Sequence, residues 1–278
     1  MNYKTLLMAS AAVLFTSQAM AADLTGAFSV PGKGQITSET AIEMGRIKAE
    51  WKGIPDANWA YDSVIAREIL EYGITDNISV NAGIANEFET ENGQDGYGYN
   101  NDHNFLYNLG VKYNTRFDDV LFQVAGRYNT YNPKDFFGKH NTDARWQKSL
   151  GLDLKAGLDL GNGITPYIVY SIDSDIDTPH RALTQSVTAG IHKYTGKWAL
   201  DGAIRYEWDK NNKDWYTGKN NTATWFDGAA DYYLTDNVAL GIYGSYLIDA
   251  HDQFDGNDGS TYHVKEGHEI GLRVKVLF

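Results

Sequence analysis

GHEIGLRVKVLF, residues 267–278, is the stretch that decides the fold. Every second residue in it is apolar, and these side chains share one face of an extended strand: Ile270, Leu272, Val274, Val276 and Phe278. The opposite face carries charge at Glu269, Arg273 and Lys275. A strand with these two faces separates an apolar environment from an aqueous one.

A last strand with this pattern and a terminal aromatic residue resembles the closing strand of Gram-negative outer-membrane β-barrels, in which a C-terminal Phe is a common insertion signal. The resemblance rests on Phe278 and the alternating apolar positions before it. It implies a location in the outer membrane of a Gram-negative bacterium, surrounded by outer-membrane lipid and lipopolysaccharide. It also implies that Phe278 is the assembly signal read by the barrel-assembly machinery.

The N-terminal residues predict export from the cytoplasm. Lys4 precedes an apolar run over residues 6–15, and Ala19-Met20-Ala21 matches an A-x-A cleavage site. The run is shorter than the roughly 20 residues that a membrane-spanning helix needs. We predict a signal peptide over residues 1–21, an N-terminal periplasmic segment over 22–35 and a barrel over 36–278. Whether residues 22–35 enter the lumen is left open.

The composition agrees with a barrel. Polar residues interrupt every apolar run after the signal peptide, and a bilayer admits only helices and closed barrels, so the prediction is a barrel. The chain has 28 Gly, 19 Tyr and 5 Pro, which suits many strands joined by tight turns. It has no cysteine, and its formal net charge of −12 makes nucleic acid an unsuitable partner.

Short turn signals recur along the chain and set the number of strands. Segments rich in Gly, Asn and Asp lie at 73–77, 116–119, 161–163, 195–197 and 235–237, and longer polar segments alternate with them. Between these connections lie segments of strand length at 37–51, 60–73, 77–89, 103–115, 119–132, 147–160, 164–174, 182–194, 198–209, 222–234, 237–249 and 263–278. The predicted fold class is therefore all-β, a single antiparallel transmembrane β-barrel of twelve strands.

The sixth strand shows the two faces of the predicted barrel most clearly. Leucines at 150, 152, 154, 158 and 160 alternate with polar residues such as Asp153 and Lys155. An inner face that carries both acids and bases suits a watery lumen better than a packed core. The residues predicted to line this lumen are Lys112, Arg127, Asp153, Lys155, Asp201, Arg205, Glu207, Asp227, Asp231, Arg273 and Lys275.

The first two strands fit the pattern less well. In the second strand, one register places Glu68 towards lipid and the other places Arg67 and Glu71 there. In the first strand, Glu43 falls on the predicted outer face, and Arg46, Lys48 and Glu50 fall on the inner face. We infer that Glu43 and Glu68 lie near a membrane interface or that the register differs there, and a helix over residues 39–52 is an alternative.

The predicted function is a narrow porin for passive diffusion of small polar solutes, and a salt-bridged closed barrel is the alternative. The strand count resembles that of the twelve-stranded oligosaccharide porins, whose lumens are rich in Arg and Lys. Because the predicted inner face here is mixed and slightly acidic, an acidic sugar is a poor candidate solute. The identity of the solute is left open.

A surface hydrolase and an adhesive barrel are competing hypotheses for the function. Asp173-Ser174-Asp175 and Asp249-Ala250-His251 resemble the catalytic residues of omptin proteases, and an acidic loop over residues 249–259 could bind calcium. Short patterns of this kind arise easily in Asp-rich loops, and no phosphate loop, zinc cluster or lipase triad is present. We therefore predict no enzymatic activity, no cofactor and no metal.

Overall fold

The computed structural model describes residues 28, 30–52, 58–93, 100–132, 147–176, 183–210, 221–251, 254–255 and 261–278. All of its elements are antiparallel β-strands: β1 Ile36–Lys52, β2 Asn58–Gly73, β3 Ile78–Gly93, β4 Asn100–Phe117, β5 Val120–Asn132, β6 Gln147–Leu158, β7 Ile164–Asp175, β8 Leu183–Thr195, β9 Trp198–Lys210, β10 Asn221–Thr235, β11 Val238–His251, β12 Phe254–Asp255 and β13 Thr261–Leu277. The predicted signal peptide over residues 1–21 lies outside the described residues. Within these residues, no helix is long and apolar enough to span a bilayer. The alternative of a helix over residues 39–52 is wrong, because β1 covers them.

Twelve long strands form a closed ring. Each strand pairs with its neighbour in chain order, and β13 pairs with both β11 and β1. The seam between β1 and β13 runs from Thr37 opposite Leu277 to Lys52 opposite Thr261, with a bulge after Lys48. β12 is a two-residue strand beside β13 in the last long loop. The prediction of a twelve-stranded barrel is confirmed, and each predicted strand end lies within four residues of the observed end.

Tight turns connect the strands at one end of the barrel. Two-residue connections join β4 to β5, β8 to β9 and β10 to β11, as the short turn signals predict. Asp118 and Asn162 have positive φ angles of 52°, which Asp and Asn tolerate better than most residues. The start of β1 and the end of β13 also lie at this short-turn end, where the Phe278 amide donates to the Ile36 carbonyl at 2.8 Å.

The outer face of the ring is an apolar belt. Leu109, Leu154 and Ile191 are among the large apolar side chains that remain exposed, at 58%, 45% and 57% of their surface. Inner positions on the same strands hold buried polar side chains, including Lys112, Asp153 and His192. An apolar outside and a polar inside is the arrangement that lipid around an aqueous lumen selects.

The register of β1 corrects the predicted faces of that strand. Glu43 is buried on the inside, whereas Met44 is exposed. The residues predicted to point inward, Arg46 and Lys48, instead share the outer side with Met44, and Glu50 also lies there, paired with Lys265. Arg46 pairs with Asp62 at 3.5 Å and Lys48 with Glu266 at 2.6 Å.

Glu68 does face outward, as one of the two predicted registers has it. Its carboxylate accepts hydrogen bonds from the hydroxyls of Ser38, at 2.6 Å, and Thr40. Both hydroxyls stand on β1 beside Glu68 in the β1–β2 pairing. Arg67, the preceding residue of β2, is buried inside the barrel.

Candidate functional site in the barrel lumen

The first cluster of lumen charges crosses the barrel seam. Asp231 on β10 accepts hydrogen bonds from the Arg273 guanidinium at 2.8 and 2.9 Å and from Lys275 Nζ at 2.9 Å. Glu39 on β1 accepts from Arg67 at 3.0 Å and lies 4.0 Å from Arg273. Strands from both ends of the chain therefore meet in one buried ionic network.

Tyr243 lies between two guanidinium groups of this network. Arg67 and Arg273 are 5.1 and 5.2 Å from the centre of its ring, a geometry that favours cation–π attraction. Its hydroxyl donates to Glu43 at 2.9 Å. A Cβ on Gly271 would lie 2.3 Å from this ring, so a glycine is required at that position.

A second cluster surrounds Arg205 on β9. Its guanidinium donates to Glu207 at 2.7 Å and to both Asp227 oxygens at 2.9 and 3.1 Å. The ring of Trp225 lies 5.5 Å from the guanidinium carbon. Asp227 also accepts a hydrogen bond from Ser245 at 2.7 Å. Arg205 is completely buried by these contacts.

Two further cations on the opposite wall are paired in the same way. Arg127 on β5 donates to Asp153 on β6 and to Asp173 on β7. Lys112 on β4 donates to Glu71 on β2 at 2.7 Å, and the Glu71 carboxylate also accepts from the Ser79 hydroxyl.

Lys155 on β6 has aromatic neighbours. Its ammonium nitrogen lies 4.5 Å from the centre of the Tyr167 ring and 4.6 Å from that of Phe28, which precedes the barrel. The Tyr167 hydroxyl donates to Asp201 at 2.6 Å, and His192 Nδ1 lies 3.4 Å from the same carboxylate.

The residues predicted to line the pore all lie on the inner face of the ring, and each is beside a group of opposite charge or an aromatic ring. The bases on the first five strands are not separated in space from the acids, because Arg127 and Lys112 have their own acids beside them. Glu39, Glu71 and Tyr243 belong to these networks and were not among the predicted lumen residues. Glu71 could have been found by choosing the register of β2 that buries Arg67.

The charged side chains of the lumen differ in their solvent exposure. The side chains of Asp201 and Asp227 are 27% and 24% exposed, and those of Glu207 and Asp173 are 14% and 13% exposed. The side chain of Arg205, which pairs with Glu207 and Asp227, is 1% exposed. The other cations of the described lumen ion pairs, on Arg67, Lys112, Arg127, Arg273 and Lys275, are at most 6% exposed. Among the charged side chains of these ion pairs, the most exposed ones are therefore carboxylates on Asp201 and Asp227.

The two short sequence patterns that resemble an omptin catalytic site are not brought together in the structure. Asp173 is engaged by Arg127, and Asp249 with His251 lies on β11, which three strands separate from β7. Most of the acidic loop over residues 249–259 lies outside the described residues. Among the residues that are described, no three His, Asp or Glu side chains are grouped to hold a metal ion.

Comparison with known proteins locates the fold. No protein-family model matches the chain, and no curated protein matches it in sequence. An outer-membrane channel from Pseudomonas putida F1 is similar in structure, with a TM-score of 0.63 and 12% identity over 90% of this chain and 98% of that one. The translocator domain of the autotransporter NalP from Neisseria meningitidis has a TM-score of 0.51 and 13% identity, over 98% and 95% of the two chains.

The transport unit of the autotransporter AIDA-I from Escherichia coli is similar to the same degree, with a TM-score of 0.51 and 12% identity over 86% and 90% of the chains. At these identities the likeness is one of fold. Together with the closed ring and its exposed apolar belt, it shows that this chain is an outer-membrane β-barrel.

Proposed function

We propose that this barrel is a narrow channel for passive diffusion of small polar solutes, with a weak preference for cations, and that it catalyses no reaction. The observation that carries the proposal is the unequal exposure of the lumen charges. Asp201 and Asp227 are partly exposed on the inner face, whereas Arg205, the guanidinium partner of Asp227, is buried. Carboxylates that stay partly exposed on the inner face are the groups that a permeating cation would meet.

The preference for cations follows from simple electrostatics. A narrow path with low-dielectric walls concentrates the field of the charges that line it. Dissolved salt screens that field over about 10 Å at 0.1 M ionic strength. The preference should therefore be stronger in dilute salt than in concentrated salt.

The test is the reversal potential of the purified, refolded protein in a planar bilayer under a KCl gradient. The wild type should conduct with a weak preference for potassium, and the double variant Asp201→Asn, Asp227→Asn should lose most of it. Asp62→Asn is the matched control, because it removes one carboxylate from the outer side of the barrel, where Asp62 pairs with Arg46.

An unchanged reversal potential in the double variant would contradict the assignment of these carboxylates to the path. A barrel that never conducts but hydrolyses peptide or lipid would favour a surface hydrolase instead. We further propose that lipid and lipopolysaccharide surround the apolar belt and that the assembly machinery recognises Phe278, which stands 70% exposed at the end of the chain.

A further inference from the structure

The chain before β1 is fastened to the first short turn. The amide of Gly34 donates to the Gly73 carbonyl at 2.8 Å, and the Gly73 amide donates to the Gln35 carbonyl at 3.0 Å. The Lys33 amide donates to Asp76 Oδ1 at 3.1 Å. Gly34 has a φ angle of +82°, a left-handed conformation that favours glycine and turns the chain at this point.

The contact with this turn is close. A Cβ on Gly73 would lie 2.2 Å from the carbonyl oxygens of both Pro31 and Gly32, so only glycine fits there. Pro31 is itself buried. The segment is therefore held by hydrogen bonds and by packing against the short-turn end of β2 and β3, which is the periplasmic end in outer-membrane barrels.

The other end of the same segment lies inside the barrel. Phe28 is buried, with 8% of its surface exposed, and its ring sits over the Lys155 ammonium group on β6. A Cβ on Gly157 would lie 2.5 Å from that ring, so Gly157 leaves the hollow that Phe28 fills. Gly157 is one residue from the end of β6, which puts this hollow at the periplasmic mouth.

These two contacts are separated around the ring: the first is at the turn between β2 and β3, and the second is on β6, three to four strands farther along. In a closed ring of twelve strands, β7 is six strands from β1 in either direction, and β6 is next to it. The chain that enters β1 at Ile36 therefore has its Phe28 ring against the far wall. The chain between Phe28 and Gln35 must cross the mouth of the lumen.

We propose that residues 28 and 30–35 form a strap across the periplasmic mouth and that Phe28 makes the constriction that sets the conductance of the channel. This inference rests on the proposed function, and it adds which residues narrow the path. Phe28 acts by occupying space, and Lys155 holds its ring by cation–π attraction. A small solute must then pass beside the strap.

Conductance tests the constriction. Removal of residues 22–31, and separately Phe28→Ala, should each raise single-channel conductance at least twofold, since each clears the mouth. The matched control is Phe117→Ala, which removes a phenylalanine that is 65% exposed next to a short turn. The control should conduct like the wild type. Unchanged conductance in both mouth variants would overturn the constriction.

Cross-linking tests the path of the strap without reference to conduction. The chain has no cysteine, so Phe28→Cys with Gly157→Cys introduces the only two thiols. A short bifunctional thiol reagent should join them in the folded barrel and should leave Phe28→Cys, Gly202→Cys unjoined, because nothing lies within 4 Å of the Cβ position at Gly202. No joining in the first pair would overturn the strap.

The two tests separate the two proposals. A joined pair in a protein that conducts, with higher conductance in Phe28→Ala, supports both. If the pair is joined but neither the full chain nor the variant lacking residues 22–31 ever conducts, the constriction is overturned. The failure then lies in the channel function, since the strap lies where it should.

Discussion

The two aspartates of β10 that face the lumen have different surroundings, although the sequence presents them alike. Asp231 is buried between Arg273 and Lys275, while Asp227 keeps a quarter of its side chain in contact with lumen water. A buried cation that loses its partner is left without solvation. Loss of the Asp231 charge affects two buried cations, Arg273 and Lys275, whereas Arg205 keeps Glu207 when Asp227 is replaced.

Asp231→Asn should therefore lower the free energy of unfolding by about 3–5 kcal/mol, the usual cost of breaking a buried ion pair. Asp227→Asn, the same chemical change four residues earlier, should cost clearly less. Urea unfolding of the refolded protein in lipid vesicles, followed by tryptophan fluorescence, measures both. Equal losses would contradict this difference between the two ion-pair clusters.

The cost of placing a charge on the outer face should depend on the depth of the substituted leucine in the bilayer. Leu154 lies within β6 and is 45% exposed to lipid, whereas Leu160 follows the strand in the short turn and is 56% exposed. Leu154→Arg should destabilise the barrel by about 2–4 kcal/mol, and Leu160→Arg by about 0–1 kcal/mol. The same vesicle-unfolding assay decides, and a larger loss at Leu160 would contradict the depth assigned to β6.

At the scale of single strands, β1 and β2 share a polar contact on the lipid side. Glu68 accepts from Ser38 and Thr40 while Ile42 and Leu70 around it are exposed to lipid. A carboxylate without donors in this position has lost its water without gaining a partner. The hydrogen bonds from the two hydroxyls thus offset the desolvation of the Glu68 carboxylate.

Ser38→Ala with Thr40→Val should lower the free energy of unfolding by about 1–3 kcal/mol, the usual cost of leaving a desolvated acceptor unsatisfied. Adding Glu68→Leu to that pair should restore most of the loss, because no acceptor then remains. The measurement is urea unfolding of the double and triple variants. A triple variant less stable than the double would contradict this account.

The last strand carries the assembly prediction. The backbone of Phe278 closes the seam by hydrogen bonds with Ile36, and its side chain takes no part in them. Phe278→Asp should therefore keep the closing bonds available but reduce the amount of folded barrel in the outer membrane severalfold. Phe278→Leu, which keeps an apolar end, is the control. Gel mobility before and after boiling reports the folded fraction, and a normal fraction in the Asp variant would contradict the signal.

At the scale of the whole molecule, closure of the ring depends on two strands that lie at opposite ends of the sequence. Ile42 on β1 stands opposite Leu272 on β13, and both side chains are exposed on the outer face. Cysteines at these two positions should cross-link in the folded protein. Cysteines at Ile42 and Val276 should not, because Val276 pairs with Ser38, farther along β1.

SDS gel mobility under oxidising and reducing conditions measures this closure. Cross-linking only in the second pair would mean that β13 joins β1 in another register. Such a shift would also move Arg273 and Lys275 away from Asp231, so the stability difference between the two aspartates is an independent check of the same register.

Local pattern alone determined much of this fold. Hairpins are contacts between neighbours in the chain, so alternation and turn composition suffice to predict twelve strands and their order. The same alternation, as in Leu152, Asp153 and Leu154, predicted which residues of most strands face the lumen. It failed in β1, where Glu43 and Arg46 give both faces a charge and neither face is apolar.

Tertiary structure alone decided which charges meet. Asp231 and Lys275 are 44 residues apart, and their contact exists because the ring closes and the strands are staggered. The same closure buries Arg205 while leaving Asp227 hydrated, and it brings Phe28 to Lys155 across the mouth. Periodicity states which side of a strand a residue occupies. Periodicity does not tell which side chains of non-adjacent strands meet, or how exposed a side chain is inside the lumen. The proposed function rests on these contacts and exposures.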